Sequence, residues 1–420
     1  MTRIKSFLVL LCLVMAGFAV SAQGGNSGEV QGRIGQTGNV ISTAVPFMII
    51  APDARAAGMG DVGVSTSPDV YSMYWNAGKY AFLEDDFSVG LAYSPWLRKL
   101  VSDMNIAYLG VAKRVSPMST VAMSLRYFSL GDINFTDEDN HSLGTYSPNE
   151  FAIDACYSRK LGDYISGAIA ARFIYSDLTQ GIVNYSKPAY SVAADLGVYY
   201  QRPVNWFRNM AADFNWGVAI TNIGSKMAYS DANTKKDFIP TNLRFGATMN
   251  MHLDDYNELA VSIDLNKLLV PTPPIYYKTA DGRDSIGVDN KPVIYKGKDN
   301  DVSMVAGIFQ SFYDAPDGFS EELKEFTIGI GLEYWYDKVF SARAGFFHED
   351  KTKGNRRYLT FGAGIRYNIF ELDISYLVPV NNTSNSGVNP LENTLRFDLV
   401  FNINKWKKDS TKLERTKERN

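Results

Sequence analysis

From Phe87 to Ile403 bulky apolar residues recur at every second position, with small or polar residues between them. Phe87, Val89, Leu91 and Tyr93 are separated by Ser88, Gly90 and Ala92, and the alternation returns in runs beginning at Phe151, Ile165, Tyr190, Phe214, Leu243 and Leu259. It resumes at Phe326, Phe340, Leu359, Leu372 and Leu395. A period of two sends successive side chains to opposite faces of a β-strand, and tilted strands of about 9–11 residues cross a bilayer. With 104–114 and 121–130 included, the pattern predicts fourteen strands, provided that 301–313 is not one of them. There Val302, Val305, Phe309, Phe312 and Tyr313 fall three or four apart, which is a helix period, with Asn300 or Asp301 as N-cap and Pro316 beyond the end. An even count returns both ends of the strand series to one side of the membrane.

Alternation also suits a soluble sandwich, whose apolar face points inward. The polar face decides between them. It combines Gly, Ala and Ser with a few charges of both signs: Arg172, Arg244, Arg343, Arg366 and Arg396 against Asp195, Asp264, Glu333, Asp373 and Asp398. A solvated outer face would carry many more Lys and Glu; this one suits a partly filled lumen. Aromatics such as Tyr93, Trp96, Tyr199, Tyr200 and Tyr334–Tyr336 gather near strand ends, where interfacial girdles lie. The expected fold is all-β, a transmembrane antiparallel β-barrel of about fourteen strands over 86–403.

Turn lengths assign the sides. Short links near 116–118, 162–163, 336–338 and 370–371 are expected in the periplasm, and longer ones near 131–148, 177–188, 222–240, 268–324, 349–356 and 380–391 outside. The 268–324 loop is the longest, and a loop of that length with its own helix is usually functional. Residues 1–22 read as a cleaved Sec signal peptide, with Arg3 and Lys5 ahead of an apolar run that closes on Val20-Ser21-Ala22. The Gly-rich stretch 23–52 reads as a flexible periplasmic lead-in, and 404–420, where seven Lys and Arg face three acids, as a solvated basic periplasmic tail.

Residues 53–85 have neither period and too few apolar residues for a core of their own, so the barrel walls must order them, as a plug in the lumen. Arg55 is the expected partner for lumen acids. Gly58, Gly60 and Gly63 spell G-x-G-x-x-G, but a dinucleotide site needs an apolar strand before the motif and a helix after it. The sequence supplies neither, so the glycines are read as permitting tight turns in a confined space. His141, His252 and His348 lie far apart without metal-ligand spacing. Cys156 shares the inward parity of Asp154, and no nucleophile elbow is present. The net charge of −3 favours no nucleic acid. The chain therefore reads as a non-enzyme without metal or cofactor.

ARAAGMGDVGVSTSPDVYSMYWNAG, from Ala54 to Gly78, resembles the N-terminal hatch of the FadL-like outer-membrane transporters, which ends in an Asn-Pro-Ala-Gly-like turn before the first strand. Here the turn is Trp75-Asn76-Ala77-Gly78, without the proline. SFYDAPDGFSEELKEF, GLEYWYDKVFSARAGFFHED, KGNRRYLTFGAG and NPLENTLRFDL resemble, more narrowly, the PorV-like outer-membrane proteins of the type IX secretion system. The resemblance implies a protein in contact with outer-membrane lipid that associates with a SprA/Sov-like translocon. It also implies binding of the C-terminal signal domains of exported cargo and their transfer to a surface attachment complex with the sortase-like PorU. Phe309, Phe312 and Tyr313 are then the expected contact residues, and the missing proline implies a plug that stays shut. A FadL-like channel for hydrophobic small molecules is the alternative.

Overall fold

The computed structural model describes residues 39–98, 101, 103–136, 139, 141–179, 186–207, 210–230, 236–279, 281–288, 290–380 and 394–403. The signal-peptide and basic-tail readings lie outside this set, as does the lead-in up to residue 38.

The first seven barrel strands are β1 (Phe87–Pro95), β2 (Asn105–Ser116), β3 (Ser119–Ser129), β4 (Asn149–Lys160), β5 (Ile165–Asp177), β6 (Ala189–Phe207) and β7 (Met210–Gly224). The second seven are β8 (Asn242–His252), β9 (Asn257–Leu268), β10 (Phe326–Tyr336), β11 (Phe340–His348), β12 (Arg357–Tyr367), β13 (Phe370–Pro379) and β14 (Leu395–Ile403). Each pairs antiparallel with its neighbours in sequence, and β1 closes on β14 from Phe87↔Ile403 to Tyr93↔Phe397, giving a closed fourteen-stranded barrel. Closure leaves no strand edge unpaired, which a sheet in lipid requires.

The alternation read from sequence sorts the two faces. Leu91, Met123, Ile153, Ile169, Phe245, Phe361 and Leu372 point outward and are exposed, whereas their neighbours Ala92, Ala122, Asp154, Ala170, Arg244, Thr360 and Asp373 point inward and are buried. An exposed apolar surface repeated around a whole barrel is accounted for by a surrounding hydrocarbon phase. No helix among the described residues is long and apolar enough to cross a membrane, so the strands do the crossing.

Residues 39–98 depart from the sequence reading at their start. Residues 39–52, expected in a flexible periplasmic lead-in, are instead packed at the long-loop end of the barrel. The amide of Asn39 donates to the Thr352 carbonyl (2.8 Å) and that of Ala44 to the Phe238 carbonyl (2.8 Å). Val45, Phe47 and Met48 are buried with Ile106, Phe128, Ile174 and Ile239, and the Phe47 and Phe128 rings stack 6.0 Å apart. Burial of this apolar surface, worth roughly 25 cal/mol per Å², holds the segment inside. Behind it come two short helices, Ala54–Ala57 and Ser72–Trp75, and a 3-10 turn, Ala77–Phe82, before the chain enters β1.

The loop between β9 and β10 holds two helices where one was expected. Met304–Gln310 is capped by Ser303, whose hydroxyl accepts from the Ala306 amide, so the cap is neither Asn300 nor Asp301. Phe319–Lys324 follows; its single turn and a half is too short to show a period. Among the described residues, Tyr276–Val293 belongs to a compact unit other than that of the barrel and is held by bonds such as Tyr277 N–H to the Val293 carbonyl (2.9 Å) and Ser285 N–H to the Tyr277 carbonyl (2.8 Å).

Candidate functional site

Two places in the molecule concentrate chemistry: the lumen where the N-terminal segment sits, and the long-loop rim. In the lumen the segment is held by charge. Arg55 lies in the first short helix, started by Asp53, whose carboxylate accepts from the Ala56 amide (2.8 Å). The Arg55 guanidinium grips both oxygens of Glu333 on β10 (2.9 and 2.8 Å) and also binds Asp69 (2.9 Å) and the Ser67 hydroxyl (2.6 Å). Arg343, directly opposite Glu333 in the β10–β11 register, bonds the same carboxylate at 2.8 Å and reaches Asp373 at 2.5 Å. Asp373 in turn faces Asp398 across β13 and β14. Two carboxylates directly opposed would repel. They coexist because Asp373 takes Arg343 while Asp398 accepts the amides of Ala54 (2.6 Å) and Arg55 (3.3 Å).

The rest of the segment is tied in the same manner. Asp264 accepts from the amides of Gly63 (2.7 Å) and Val64 (2.9 Å), and Arg244 donates to the Tyr74 carbonyl (2.6 Å) while lying over the Tyr74 ring. Asn76 donates to the Val198 carbonyl (2.9 Å) and accepts from Gly78 N–H (3.0 Å); Trp75 donates its indole N–H to Asp53 (2.7 Å). Gly60 has φ +73°, and a Cβ there would stand 2.7 Å from both the N and O of Phe346. Opposite it, a Cβ on Gly345 would come within 2.1 Å of the Gly60 nitrogen. Gly60 therefore turns the chain where it presses on the wall. Burial, helped by repulsion from Asp69, pushes the Asp53 carboxyl up, against its bonds from Ala56 and Trp75. Burial also pulls the Lys79 ammonium down, opposed by Asp69. Lys79 donates to the Gly63 carbonyl (2.9 Å) and the Thr66 hydroxyl (3.0 Å).

Of the other inward charges, Arg396 also ties the segment, while Arg172 and Arg366 serve the wall or its mouth. Arg172 is bonded to Asp154, Asn222 and Asp195, the last at 2.9 Å, without touching the segment. Arg396 reaches Asp61 at 3.3 Å, which also accepts from the Tyr358 hydroxyl (2.5 Å). Arg366 sits near the short-turn end, half exposed, paired with Glu371 at 2.9 Å. Sequence reasoning missed Arg126, buried on β3, which donates to the Met48 carbonyl (2.9 Å) and stacks on the Tyr74 ring. An Arg on a strand whose inner face is otherwise the uncharged Thr120, Ala122, Ser124 and Phe128 was the available signal.

At the rim, Lys267 belongs by alternation to the outward row Leu259–Leu265, yet it is only 1% exposed. Glu322 (3.1 Å) and Glu325 (2.5 Å) neutralise it, and Lys353 completes the cluster with Glu321 (2.8 Å) and Glu325 (2.8 Å). Thr272 donates its hydroxyl to Glu325 (2.6 Å), and Asn39 donates to Glu321 (3.2 Å). Charges buried this completely are stable only when paired and hydrogen-bonded. Although burial acts the other way, bonds from Lys353 and the Asp317 amide hold Glu321 below the usual carboxylate range. Burial pushes Asp314 up to about 6; its Oδ2 accepts from the Thr272 amide (3.1 Å), while its Oδ1 is buried without a partner. On this clamped base Phe309, Phe312 and Tyr313 stand 66%, 46% and 59% exposed. The neighbouring Val305, Phe319 and Leu323, which the sequence reading did not name as contacts, are exposed as well.

Among solved structures the chain is similar to the P. putida toluene transporter TodX, at 10% identity and TM-score 0.45, covering 84% of this chain and 98% of that one. It is also similar to the CymD monoaromatic hydrocarbon channel, at 11% identity and TM-score 0.44 over 84% and 98%. A third likeness is to a Pseudomonas aeruginosa FadL homologue, at 10% identity and TM-score 0.39 over 87% and 99%. No curated protein matches the chain. A family model described as type IX secretion system protein PorV matches residues 33–275, more than half of the chain. With its closed fourteen-stranded barrel and outward apolar belt, this outer-membrane chain belongs to the PorV family of type IX secretion system proteins.

Proposed function

We propose that this protein binds the C-terminal signal domain of exported cargo at its long-loop rim. It then carries that domain from a SprA/Sov-like translocon to the surface attachment complex, while its own lumen stays shut. The observation that carries the reading is the row of large apolar side chains, Phe309, Phe312, Tyr313 and Phe319, held out to solvent on a loop pinned by the buried Lys267/Lys353 cluster. Large aromatic groups exposed on a pinned loop are the usual centres of binding energy at protein interfaces.

A FadL-like channel for lipophilic molecules would need an empty apolar pocket beneath the loops and a path through the barrel. Phe47 and Met48 occupy the apolar outer lumen, and Arg55 of the segment is paired with Glu333 on the wall, which favours transport at the rim over transport through the wall. The test is capture of a cargo signal domain by the purified barrel. Deletion of 275–322, or joint replacement of Phe309, Phe312 and Tyr313 by Ser, is expected to abolish capture while the barrel remains assembled. Undiminished capture by both variants, or normal secretion of all cargo in a strain lacking the protein, would exclude the proposal.

A further inference from the structure

Beneath the long-loop rim, between the N-terminal segment and the wall, lies a cavity of about 310 Å³ lined by both. At ~30 Å³ for each water-sized group, it has room for about ten of them. Val40 lines it and is 52% exposed, which puts its mouth on the long-loop side. Strand register builds its polar wall. Arg244 on β8, Asn266 on β9 and Thr327 on β10 stand directly opposite one another, and Asn242 lies two residues from Arg244 on the same inward face. The N-terminal segment supplies the apolar side through Val40, Ile41 and Ile49.

Two groups of that wall are unsatisfied. Arg244 is 2% exposed; it donates to the Tyr74 carbonyl (2.6 Å) and lies over the Tyr74 and Trp75 rings at 4.3 and 5.3 Å, yet among the described residues no carboxylate is within ion-pair distance of it. Asp264, on the neighbouring strand, gives its carboxylate to the amides of Gly63 and Val64 instead. Every other charged residue of the lining has an ion pair: Lys353 with Glu325, Arg356 with Glu349, and Asp61 with Arg396. A buried cation is stable only when compensated. Asn242 is 6% exposed, and among the described residues its side-chain amide has no hydrogen-bond partner; it lines the same cavity.

We infer that this cavity binds a small organic carboxylate that carries an amide and an apolar body, with the carboxylate on Arg244, the amide on Asn242 and the body against Val40, Ile41 and Ile49. A guanidinium has five donors in a fork that matches a carboxylate, and the Tyr74 carbonyl takes only one of its nitrogens. A side-chain amide offers one acceptor and two donors, so an amide in the ligand meets it with one bond each way. An inorganic anion would leave the apolar side uncovered, and a neutral hydrocarbon would leave Arg244 uncompensated and Asn242 unbonded. An N-acylated amino acid has all three parts at about the right size, and so has the C-terminus of a polypeptide. Binding there asks for no passage through the lumen.

The experiment is equilibrium dialysis of the purified full-length barrel against radiolabelled N-acetylphenylalanine. Saturable binding is expected, at least tenfold tighter than that of N-acetylphenylalaninamide, which keeps the body and loses the charge. Asn242→Asp sets a carboxylate beside Arg244 without breaking a side-chain bond, and it is expected to weaken binding of the acid at least tenfold; Arg244→Gln is expected to do the same. Retained heat-modifiability shows that each variant barrel is folded. A decapeptide ending in phenylalanine separates the two sources of the ligand. Competition by its free acid and not by its C-terminal amide shows that the site takes a chain terminus; competition by neither, with N-acetylphenylalanine still bound, confines the site to small free acids. The inference is overturned if the folded wild-type barrel shows no saturable binding of the acid, if either amide binds as tightly as its acid, or if both folded variants keep wild-type affinity. Cargo capture at the rim plays no part in these readouts, so either proposal can fail alone.

Discussion

Replacing Arg55 by Ala tests whether ion pairing is what keeps the N-terminal segment inside the barrel. The substitution removes two bonds to Glu333, one to Asp69 and two to Ser67. It leaves Glu333 buried with Arg343 as its remaining guanidinium. Loss of one partner from a buried pair typically costs about 3–5 kcal/mol. Because Arg343 persists, the lower end applies, about 3 kcal/mol, which is roughly a hundredfold in an equilibrium constant at about 1.4 kcal/mol per tenfold. Cys156 reports on this directly. It is buried beneath the segment with Met73, Ala77, Tyr80 and Leu83, and the only other cysteine in the sequence is Cys12. Its labelling by a maleimide in detergent therefore requires the segment to withdraw, and the rate is expected to rise about a hundredfold in Arg55→Ala. Arg55→Lys should fall between, since an ammonium cannot bridge both Glu333 oxygens. Planar-bilayer recordings complete the test: the wild-type barrel is expected to stay closed and Arg55→Ala to show ion-conducting openings. A labelling rate unchanged within about threefold in a folded Arg55→Ala barrel, or steady conductance in the wild type, would refute the reasoning.

Two further outcomes follow from particular geometry. Gly60→Ala places a methyl group 2.7 Å from the Phe346 backbone at φ +73°; left-handed strain alone costs about 1–2 kcal/mol, so faster Cys156 labelling is expected, with Gly58→Ala milder because its nearest contact is 3.1 Å, and equal effects of the two would contradict this account. At the rim, Asp314 titrates near 6 against 3.8 when free, so its stabilising contribution is complete below about pH 4 and lost as pH rises through 6. Glu321, held below its usual value, loses its contribution only at lower pH, so of these two groups Asp314 is the one that changes between pH 5 and 7. Proteinase K should cut within 302–325 faster at pH 7 than at pH 5, after correction for protease activity, and Asp314→Asn should remove the difference; a difference that persists in Asp314→Asn would rule Asp314 out as the cause.

The barrel itself was legible in the sequence, because each strand carries its own instruction. Period-2 alternation is local, and it places Leu91 outside and Ala92 inside whatever the rest of the chain does. The even strand count followed once 301–313 showed a helix period. The ten inward charges were visible for the same reason, as breaks in a small-residue face. Apart from Arg55, expected against lumen acids, their partners were not. That Glu333 meets Arg343 depends on register, that Asp373 and Asp398 are opposed depends on how β13 and β14 align, and which lumen acid Arg55 takes depends on where a period-free segment lodges in a closed space. Residues 39–52 show the limit most plainly. Read alone they are an unpatterned stretch, and only a wall already lined by Ile106, Phe128 and Ile174 makes Phe47 and Met48 core residues. Sequence fixes which face each strand presents, since that is a property of neighbours two residues apart. Which charges meet, which loop residues stay uncovered, and what fills the lumen are set by contacts hundreds of residues apart, and those exist only once the barrel has closed.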